Sequence, residues 1–278
     1  MDFNNDDMLR SYLKSESKRL GISIKNTYNT FFSRILLERI SNASYEKLYV
    51  KGSFSNLCHL NYLSRPITDI DIVSTEYHNE PILTLYKAMY DSNDDLVYEL
   101  NVLPKTTKTG IIKLSLTANY GKIKHPISVD FQELSKTIYE KNLMEVLPVF
   151  KNDNLFKIYT PSLEEHLAEK LCIIVESNDK NKLNTRVKDF YDIYNLSNEA
   201  YDEDKLSLFF EKMLYDRNKI DLDDININFI DKDYIKKHLT LWNDMSAKYE
   251  FQNKNIEFVD AVLNAKKMLD KEIELLKR

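Results

Sequence analysis

Glycine and proline are scarce in this sequence of 278 residues, which contains four glycines and six prolines. This composition excludes collagen-like repeats and long flexible linkers, and no internal repeat of solenoid period is present. The two cysteines, Cys58 and Cys172, are far apart and lack the spacing of metal ligands. We therefore expect both to pack as small apolar side chains in a reducing cytoplasm.

Long apolar runs are missing as well. No stretch approaches the roughly 18 apolar residues of a membrane span, and residues 1–10 are too acidic and polar for a secretory signal. We therefore expect a cytoplasmic protein with no membrane partner. Hydrophobic residues make up 43% of the chain and aromatic residues 12%, which is enough for a large core in one or two domains.

The net charge of −5 does not indicate nucleic-acid binding, but the basic residues are unevenly distributed. Two stretches are rich in them, and their members are Lys105, Lys108, Lys113, Lys122 and Lys124, then Lys180, Lys182, Arg186 and Lys188. Each stretch fits either an ordinary solvated face or contacts with phosphate groups. The sequence alone leaves both interpretations open.

Hydrophobic periodicity divides the chain into two parts. Helices in the first fifty residues precede alternating segments, with strands predicted at 47–51, 68–74, 96–103, 110–119 and 122–131 and helices at 54–63 and 82–90. Arg65-Pro66 is predicted to end the first of these two helices, and Tyr120-Gly121 is predicted to form a hairpin turn.

From residue 161 onward the pattern is helical. Thr160 as N-cap, with Pro161 in the first helical position, predicts the start of the first helix. Further helices are predicted at 184–196, 203–215, 232–248 and 256–277. The sequence thus predicts an α+β protein, with an α/β domain over residues 1–155 and a helical domain over residues 156–278.

Two carboxylates flank Ile70 on a predicted strand. Asp69 and Asp71 project to the same side because strand side chains alternate, while Ile70 and Ile72 face the core. Neighbouring like charges repel, and a divalent cation such as Mg²⁺ would relieve this repulsion while binding phosphate oxygens. The alternative is a solvated strand edge without a ligand.

Gly52-Ser53 lies between a predicted strand and a predicted helix, where backbone N–H groups and the helix dipole can hold a triphosphate. Strand, Gly-Ser, helix and Asp-x-Asp, in that order, resemble the signature of the polymerase-β-type nucleotidyltransferase superfamily. That fold adds a third carboxylate from a later strand. Asp130 is the candidate, although an exposed aspartate at a strand end is the alternative.

The helical part carries a second pattern. Lys170 borders an apolar stripe, where it either holds an anionic phosphate or extends its ammonium to water. Ala168-Glu-Lys170, followed by Arg186-x-Lys-Asp189-x-x-Asp192, resembles the AbiEii/AbiGii family of bacterial toxin enzymes. The resemblance runs from about residue 17 to 196, and Arg65 before Asp69 also matches. Gly52-Ser53 departs from the Gly-Gly of many members, and the last eighty residues match nothing.

This resemblance implies a metal-dependent nucleotidyltransferase with a polymerase-β-like domain and a helical domain that completes the active-site cleft. Asp69, Asp71 and Asp130 would bind Mg²⁺ or Mn²⁺. Gly52, Ser53 and Arg65 would hold the NTP. Lys170 would contact phosphate, and Asp189 or Asp192 would complete the catalytic set; which of the two does so stays open.

The resemblance also implies a biological setting, namely a toxin of a toxin–antitoxin or abortive-infection system with an antitoxin protein as partner. The acceptor of the nucleoside monophosphate would be RNA, such as a tRNA 3′ end. A protein or small-molecule hydroxyl is an alternative acceptor that suits the acidic chain better. A non-catalytic nucleotide-binding module is disfavoured because Asp69 and Asp71 are both present. The identity of the NTP and the oligomeric state do not follow from the sequence.

Overall fold

The computed structural model describes residues 3, 5–44, 48–74, 80–90, 95–102, 105–107, 110–132, 140–177, 186–218, 225 and 230–277. The chain forms two compact units, of which the first comprises Met1–Ser135 with Asn142–Thr160 and the second Lys136–Lys141 with Pro161–Arg278. The predicted α+β class, a mixed sheet followed by a helical part, is confirmed. None of the described helices is long and apolar enough to cross a membrane.

The helices of the first unit are α1 (Asp6–Leu20), α2 (Ile24–Ser44), α3 (Gly52–Leu60) and α4 (Glu80–Tyr90). Asn5 caps α1 by accepting a hydrogen bond from the backbone N–H of Met8 at 2.9 Å. Helix α3 ends earlier than predicted, because Asn61 adopts a left-handed conformation with φ of 59° directly after it. Arg65-Pro66 therefore lies outside the helix and does not terminate it.

The strands of the first unit are β1 (Leu48–Lys51), β2 (Ile70–Ser74), β3 (Val97–Leu100), β4 (Lys105–Thr106), β5 (Ile111–Tyr120), β6 (Ile123–Gln132), β7 (Asn142–Val146) and β8 (Phe156–Thr160). Within the described residues they form one sheet in the order β3-β5-β6-β2-β1-β8-β7, with β4 on β5. Strand β2 pairs antiparallel with β1 and parallel with β6, while β8 pairs parallel with β1. Because of this last pairing the first unit extends to Thr160, whereas the predicted boundary lies at residue 155.

The β5–β6 hairpin has one apolar face and one polar face. Leu114, Leu116 and Val129 are buried in the core, whereas Lys113 and Ser115 are exposed. The turn lies one residue later than predicted. Tyr120 pairs with Ile123, so the central residues are Gly121 and Lys122. Gly121 has φ of 54° and takes the first central position, where a type II′ turn places glycine.

The core of the first unit lies between the apolar face of the sheet and the helices of the same unit. Fully buried members include Leu9, Leu13, Phe32, Leu36, Phe54, Ile70, Leu116, Val129 and Phe131. Each such side chain contributes roughly 1.5–3 kcal/mol to folding. Cys58 lies in the same core as a free thiol, and burial raises its pKa to about 12, so the thiol stays protonated. The packing role predicted for this cysteine follows from that burial.

The helices of the second unit are α5 (Leu163–Ser177), α6 (Val187–Leu196), α7 (Glu203–Met213), which continues as a π-helical turn (Leu214–Asn218), α8 (Lys232–Lys248) and α9 (Phe258–Leu276). The start predicted for the first of them is wrong. Ser162 caps α5 by accepting a hydrogen bond from the Glu165 N–H at 3.1 Å, and Thr160 belongs to β8. Ser162 and Glu165 have the spacing of a capping box, the signal that identifies this start in the sequence.

A buried ion pair fixes the chain that precedes β8 to α2. Arg34 is 2% exposed; its Nε lies 2.5 Å from Oδ2 of Asp153, and its Nη2 donates to the Asn154 carbonyl. The same Asp153 oxygen accepts the N–H groups of Val149 and Phe150 at 2.9 Å. Burial raises the pKa of Asp153 and lowers the pKa of Arg34. Both charges are therefore desolvated, and each is compensated by the opposite charge of its partner.

We predict that Asp153→Ala lowers the free energy of unfolding by about 3–5 kcal/mol, because it leaves the Arg34 guanidinium buried without a counter-ion. Urea denaturation followed by circular dichroism measures this. Glu145→Ala is the matched control. Its carboxylate is 54% exposed and lies 3.7 Å from the Lys157 ammonium, so the loss should be about 1 kcal/mol or less. Equal losses for the two variants would contradict a structural role for the buried pair.

Candidate active site

Gly52 lies directly against the carboxylate of Asp71. The residue has φ of 65°, and a Cβ built on it would overlap Oδ2 of Asp71 and lie 3.1 Å from its Cγ. A larger residue here would be strained by the positive φ and would have to displace the Asp71 carboxylate, so the position favours glycine. The junction of β1 and α3, with the first N–H groups of the helix, is thereby held close to a carboxylate.

Charged side chains form a row across the sheet, with two neighbouring aspartates between two lysines. Asp71 is the register partner of Lys51 on β1 and of Asp130 on β6, and Asp130 is the partner of Lys113 on β5. Partners on adjacent strands lie about 4.8 Å apart and project from the same face. The predicted neighbour relation between Asp71 and a later-strand Asp130 is thus present in the sheet. The carboxylate of Asp130 pairs with the Lys113 ammonium, with Nζ 3.1 Å from Oδ2.

Asp69 directly precedes β2, two residues before Asp71, so the two alternate onto the same side of the chain. Its Oδ1 accepts a hydrogen bond from the Thr68 hydroxyl at 3.2 Å. Within the part of the chain that the structure describes, no three Asp, Glu, His or Cys side chains converge to hold a metal ion by themselves. Mg²⁺ needs only one or two carboxylates when substrate phosphates supply further oxygens. The oxygen donors of Asp69 and Asp71, the latter directly against Gly52, fit such an ion.

Ser53 and Arg65 form a buried polar pair behind Gly52. They are 5% and 4% exposed, and Arg65 Nη1 donates to Ser53 Oγ at 2.8 Å. Because the hydroxyl oxygen accepts from Arg65, its own proton is directed elsewhere and can be donated to an anionic oxygen. Arg65 therefore orients Ser53 and adds positive charge beneath the start of α3.

The Lys170 ammonium in the second unit lies between two carboxylates. Its Nζ is 3.2 Å from Oδ1 of Asp189 and 2.8 Å from Oδ2 of Asp192, and all three side chains are buried. Arg186 Nε lies 2.8 Å from the other oxygen of Asp189. The sequence left two alternatives for Lys170, an anionic ligand or extension to water. The structure instead pairs the ammonium with both aspartates of the motif and joins α5 to α6.

Lys51 and Lys113 are the members of this site that sequence reasoning misses as individual residues. Lys51 is 9% exposed and stands immediately before Gly52. Its position next to the Gly-Ser motif is the feature of the sequence that could have identified it. Lys113 is identified from the sequence only as one of several lysines in a basic stretch. Its pairing with Asp130 follows from the hairpin register, which the sequence gives only when the turn is centred correctly. Lys108, Lys180 and Lys182 of the basic stretches lie outside the described residues.

A family model described as nucleotidyl transferase AbiEii toxin, type IV toxin–antitoxin system, matches residues 34–265. The chain belongs to this family. The resemblance inferred from the Gly-Ser, Asp-x-Asp and Arg-x-Lys-Asp-x-x-Asp motifs is therefore confirmed, and the protein is a nucleotidyltransferase. The match continues well beyond residue 196, where the sequence motifs end.

Solved structures share the fold of this AbiEii-family enzyme. JHP933 from Helicobacter pylori is 14% identical with a TM-score of 0.55, over 92% of this chain and 94% of that one. A second H. pylori structure, described as that of a candidate nucleotidyltransferase, is 17% identical with a TM-score of 0.52, over 89% of this chain and 96% of that one. At these identities the likeness shows the fold alone. No curated protein matches the chain.

We predict that Gly52→Ala abolishes nucleotidyl transfer, because the added Cβ displaces the Asp71 carboxylate. Gly21→Ala is the matched control: Gly21 has nearly the same φ, 66°, but a Cβ added there would have nothing within 4 Å. Because both positions have a left-handed φ, each variant carries backbone strain of roughly 1–2 kcal/mol. Transfer assays and thermal melts separate the two effects. Gly52→Ala activity equal to that of Gly21→Ala would show that the close approach has no functional role.

We further predict that Lys170→Met destabilises the second unit by about 3–5 kcal/mol, because Asp189 and Asp192 stay buried after losing their shared cation. Urea denaturation measures the loss. Lys266→Met removes a lysine from an i,i+4 pair with the 55% exposed Asp270 and should cost about 0.5 kcal/mol or less. A Lys170→Met protein as stable as Lys266→Met would contradict the structural importance of the pairing.

Proposed function

We propose that this enzyme transfers a nucleoside monophosphate from an NTP to an acceptor hydroxyl and releases pyrophosphate. The observation that carries the proposal is the close approach of Gly52 to the Asp71 carboxylate. It brings the first N–H groups of α3, which suit phosphate oxygens, next to an oxygen ligand suited to a divalent cation. Family membership supports the same reaction class.

In this proposal the residues around Gly52 hold the triphosphate. The N–H groups at the start of α3 donate to phosphate oxygens, and the Ser53 hydroxyl donates its remaining proton to another. Arg65 keeps that hydroxyl in place through its 2.8 Å hydrogen bond. The buried charge of Arg65 and the helix dipole both favour an anion at this position.

Asp69, Asp71 and Asp130 would hold Mg²⁺ or Mn²⁺, which when bound would neutralise charge on the phosphates and the leaving pyrophosphate. The register pairing of Asp71 with Asp130 supports this assignment. In the reaction the acceptor hydroxyl loses its proton to solvent and its oxygen bonds to the α-phosphorus. The bond between the α-phosphorus and the oxygen that bridges to the β-phosphate breaks, and pyrophosphate leaves with that oxygen. The carboxylates orient the site and do not change their covalent state.

We assign Lys170, Asp189 and Asp192 to the catalytic set on the strength of the family motif. Their mutual hydrogen bonds support a preorganised ionic unit, in which the ammonium is fixed by two carboxylates and Arg186 fixes Asp189 in turn. Preorganised charges stabilise developing negative charge without rearranging during the reaction. In this role Lys170 contacts phosphate with its position already set.

For the acceptor we propose RNA, such as a tRNA 3′ end, and for the biological role a toxin countered by an antitoxin protein. The toxin–antitoxin description of the family supports the setting. Exposed lysines on the polar side of the β5–β6 hairpin support contacts with a phosphate backbone. Incubation of the enzyme with each α-³²P-labelled NTP, total RNA and total protein identifies the acceptor. Label in protein alone would overturn the RNA proposal but not the transfer reaction.

We predict that Asp71→Asn lowers transfer at least about 100-fold, because an uncharged amide binds a divalent cation more weakly and does not offset its charge. The fold should stay intact, since the change is nearly isosteric. Asp95→Asn, an exposed aspartate of the same unit, serves as the matched control and should retain parental activity. Asp71→Asn activity within threefold of the parent, with unchanged metal dependence, would remove Asp71 from the mechanism.

A further inference from the structure

The row of charges across the sheet continues past the carboxylates. Lys105 on β4 is the register partner of Lys113 on β5, Lys113 is the partner of Asp130, and Asp130 is the partner of Asp71. Of the two lysines, Lys113 is the one directly opposite a carboxylate. Its Nζ lies 3.1 Å from Oδ2 of Asp130, close enough for a charge-assisted hydrogen bond.

The Lys113–Asp130 pair is accessible to solvent. The side chain of Lys113 is 58% exposed and that of Asp130 is 24% exposed. Exposed ion pairs are weak, and lysine holds a carboxylate through a single flexible point charge, unlike the two-pronged contact of arginine. A divalent cation can therefore displace Lys113 without breaking any buried contact of the sheet.

The same pair relieves a repulsion that the sheet creates. Asp71 and Asp130 are direct neighbours on adjacent strands, and like charges in such positions disfavour each other. A cation between them would remove the repulsion, and the Lys113 ammonium supplies positive charge on the side of Asp130 away from Asp71. Lys113 and a bound divalent cation would thus both compensate the negative charge of the Asp130 carboxylate.

We propose that Lys113 is a positioning residue that holds Asp130 in place of the divalent cation and competes with that cation for the carboxylate. This inference rests on the proposed function, in which Asp130 is one of the metal-binding carboxylates. Removal of the Lys113 charge should leave Asp130 open to the metal. Lys113 therefore tunes how tightly the metal binds before the nucleotide arrives.

Binding of Mn²⁺ to the full chain in the absence of nucleotide, followed by electron paramagnetic resonance of free Mn²⁺, tests this without any activity measurement. Lys113→Met keeps the aliphatic stem and should tighten Mn²⁺ binding by about two- to fivefold, the factor that corresponds to loss of an exposed ion pair. Lys113→Arg keeps the charge and should not tighten binding. Lys105→Met is the matched control, because it removes the same charge two strand spacings, roughly 10 Å, from Asp130.

A double-mutant comparison isolates the role of Asp130. In an Asp130→Asn background, Lys113→Met should no longer alter Mn²⁺ affinity. Unchanged or weaker binding by Lys113→Met alone would overturn the inference, as would equal tightening by Lys105→Met or tightening that persists with Asp130→Asn. If the parent and every variant fail to bind Mn²⁺, both this inference and the metal part of the proposed function fail. Binding without a difference between variants overturns this inference alone.

Discussion

The pairing of β2 with its two neighbours is the constraint on which the site in the first unit depends. One strand brings Asp71 beside Lys51 and Gly52 through an antiparallel ladder, and beside Asp130 through a parallel one. A slip of one residue in either ladder would turn Asp71 to the apolar side, because side chains alternate. Ile70 and Ile72, both buried, fix the register through the core. The packing that stabilises the sheet therefore also determines where the carboxylate lies.

Charge compensation is the second common feature of the described residues. Asp130 pairs with Lys113, Asp153 with Arg34, and Asp189 with both Lys170 and Arg186. The pairs differ in exposure, and exposure determines their role. Burial makes a pair such as Arg34–Asp153 expensive to break, so it serves as a structural anchor. The exposed Lys113–Asp130 pair is weak and exchangeable, a property suited to a carboxylate that must accept another cation.

Local patterns are sufficient to predict much of the first unit and its site. The alternation around Ile70 predicts that Asp69 and Asp71 share a side, and Gly52-Ser53 is identified between a strand and a helix. Pairings between strands that are far apart in the sequence are harder to predict from it. Strand β8 is missed because its membership of the sheet depends on β1, more than a hundred residues earlier. The partners of Lys170 follow the motif, but only the structure shows that its ammonium is already held by both aspartates.

The hairpin shows how a small error in a local prediction changes the chemistry of a site. A turn centred on Tyr120-Gly121 would place Asp130 opposite Ile111, whereas the observed turn at Gly121-Lys122 places it opposite Lys113. Both registers satisfy the alternation of buried and exposed residues, because they differ by two positions and leave every side chain on the same face. Hydrophobic patterning therefore selects the face but not the partner. The choice between an apolar and a cationic neighbour for Asp130 is made by the turn, where Gly121 supplies the positive φ that a type II′ geometry requires.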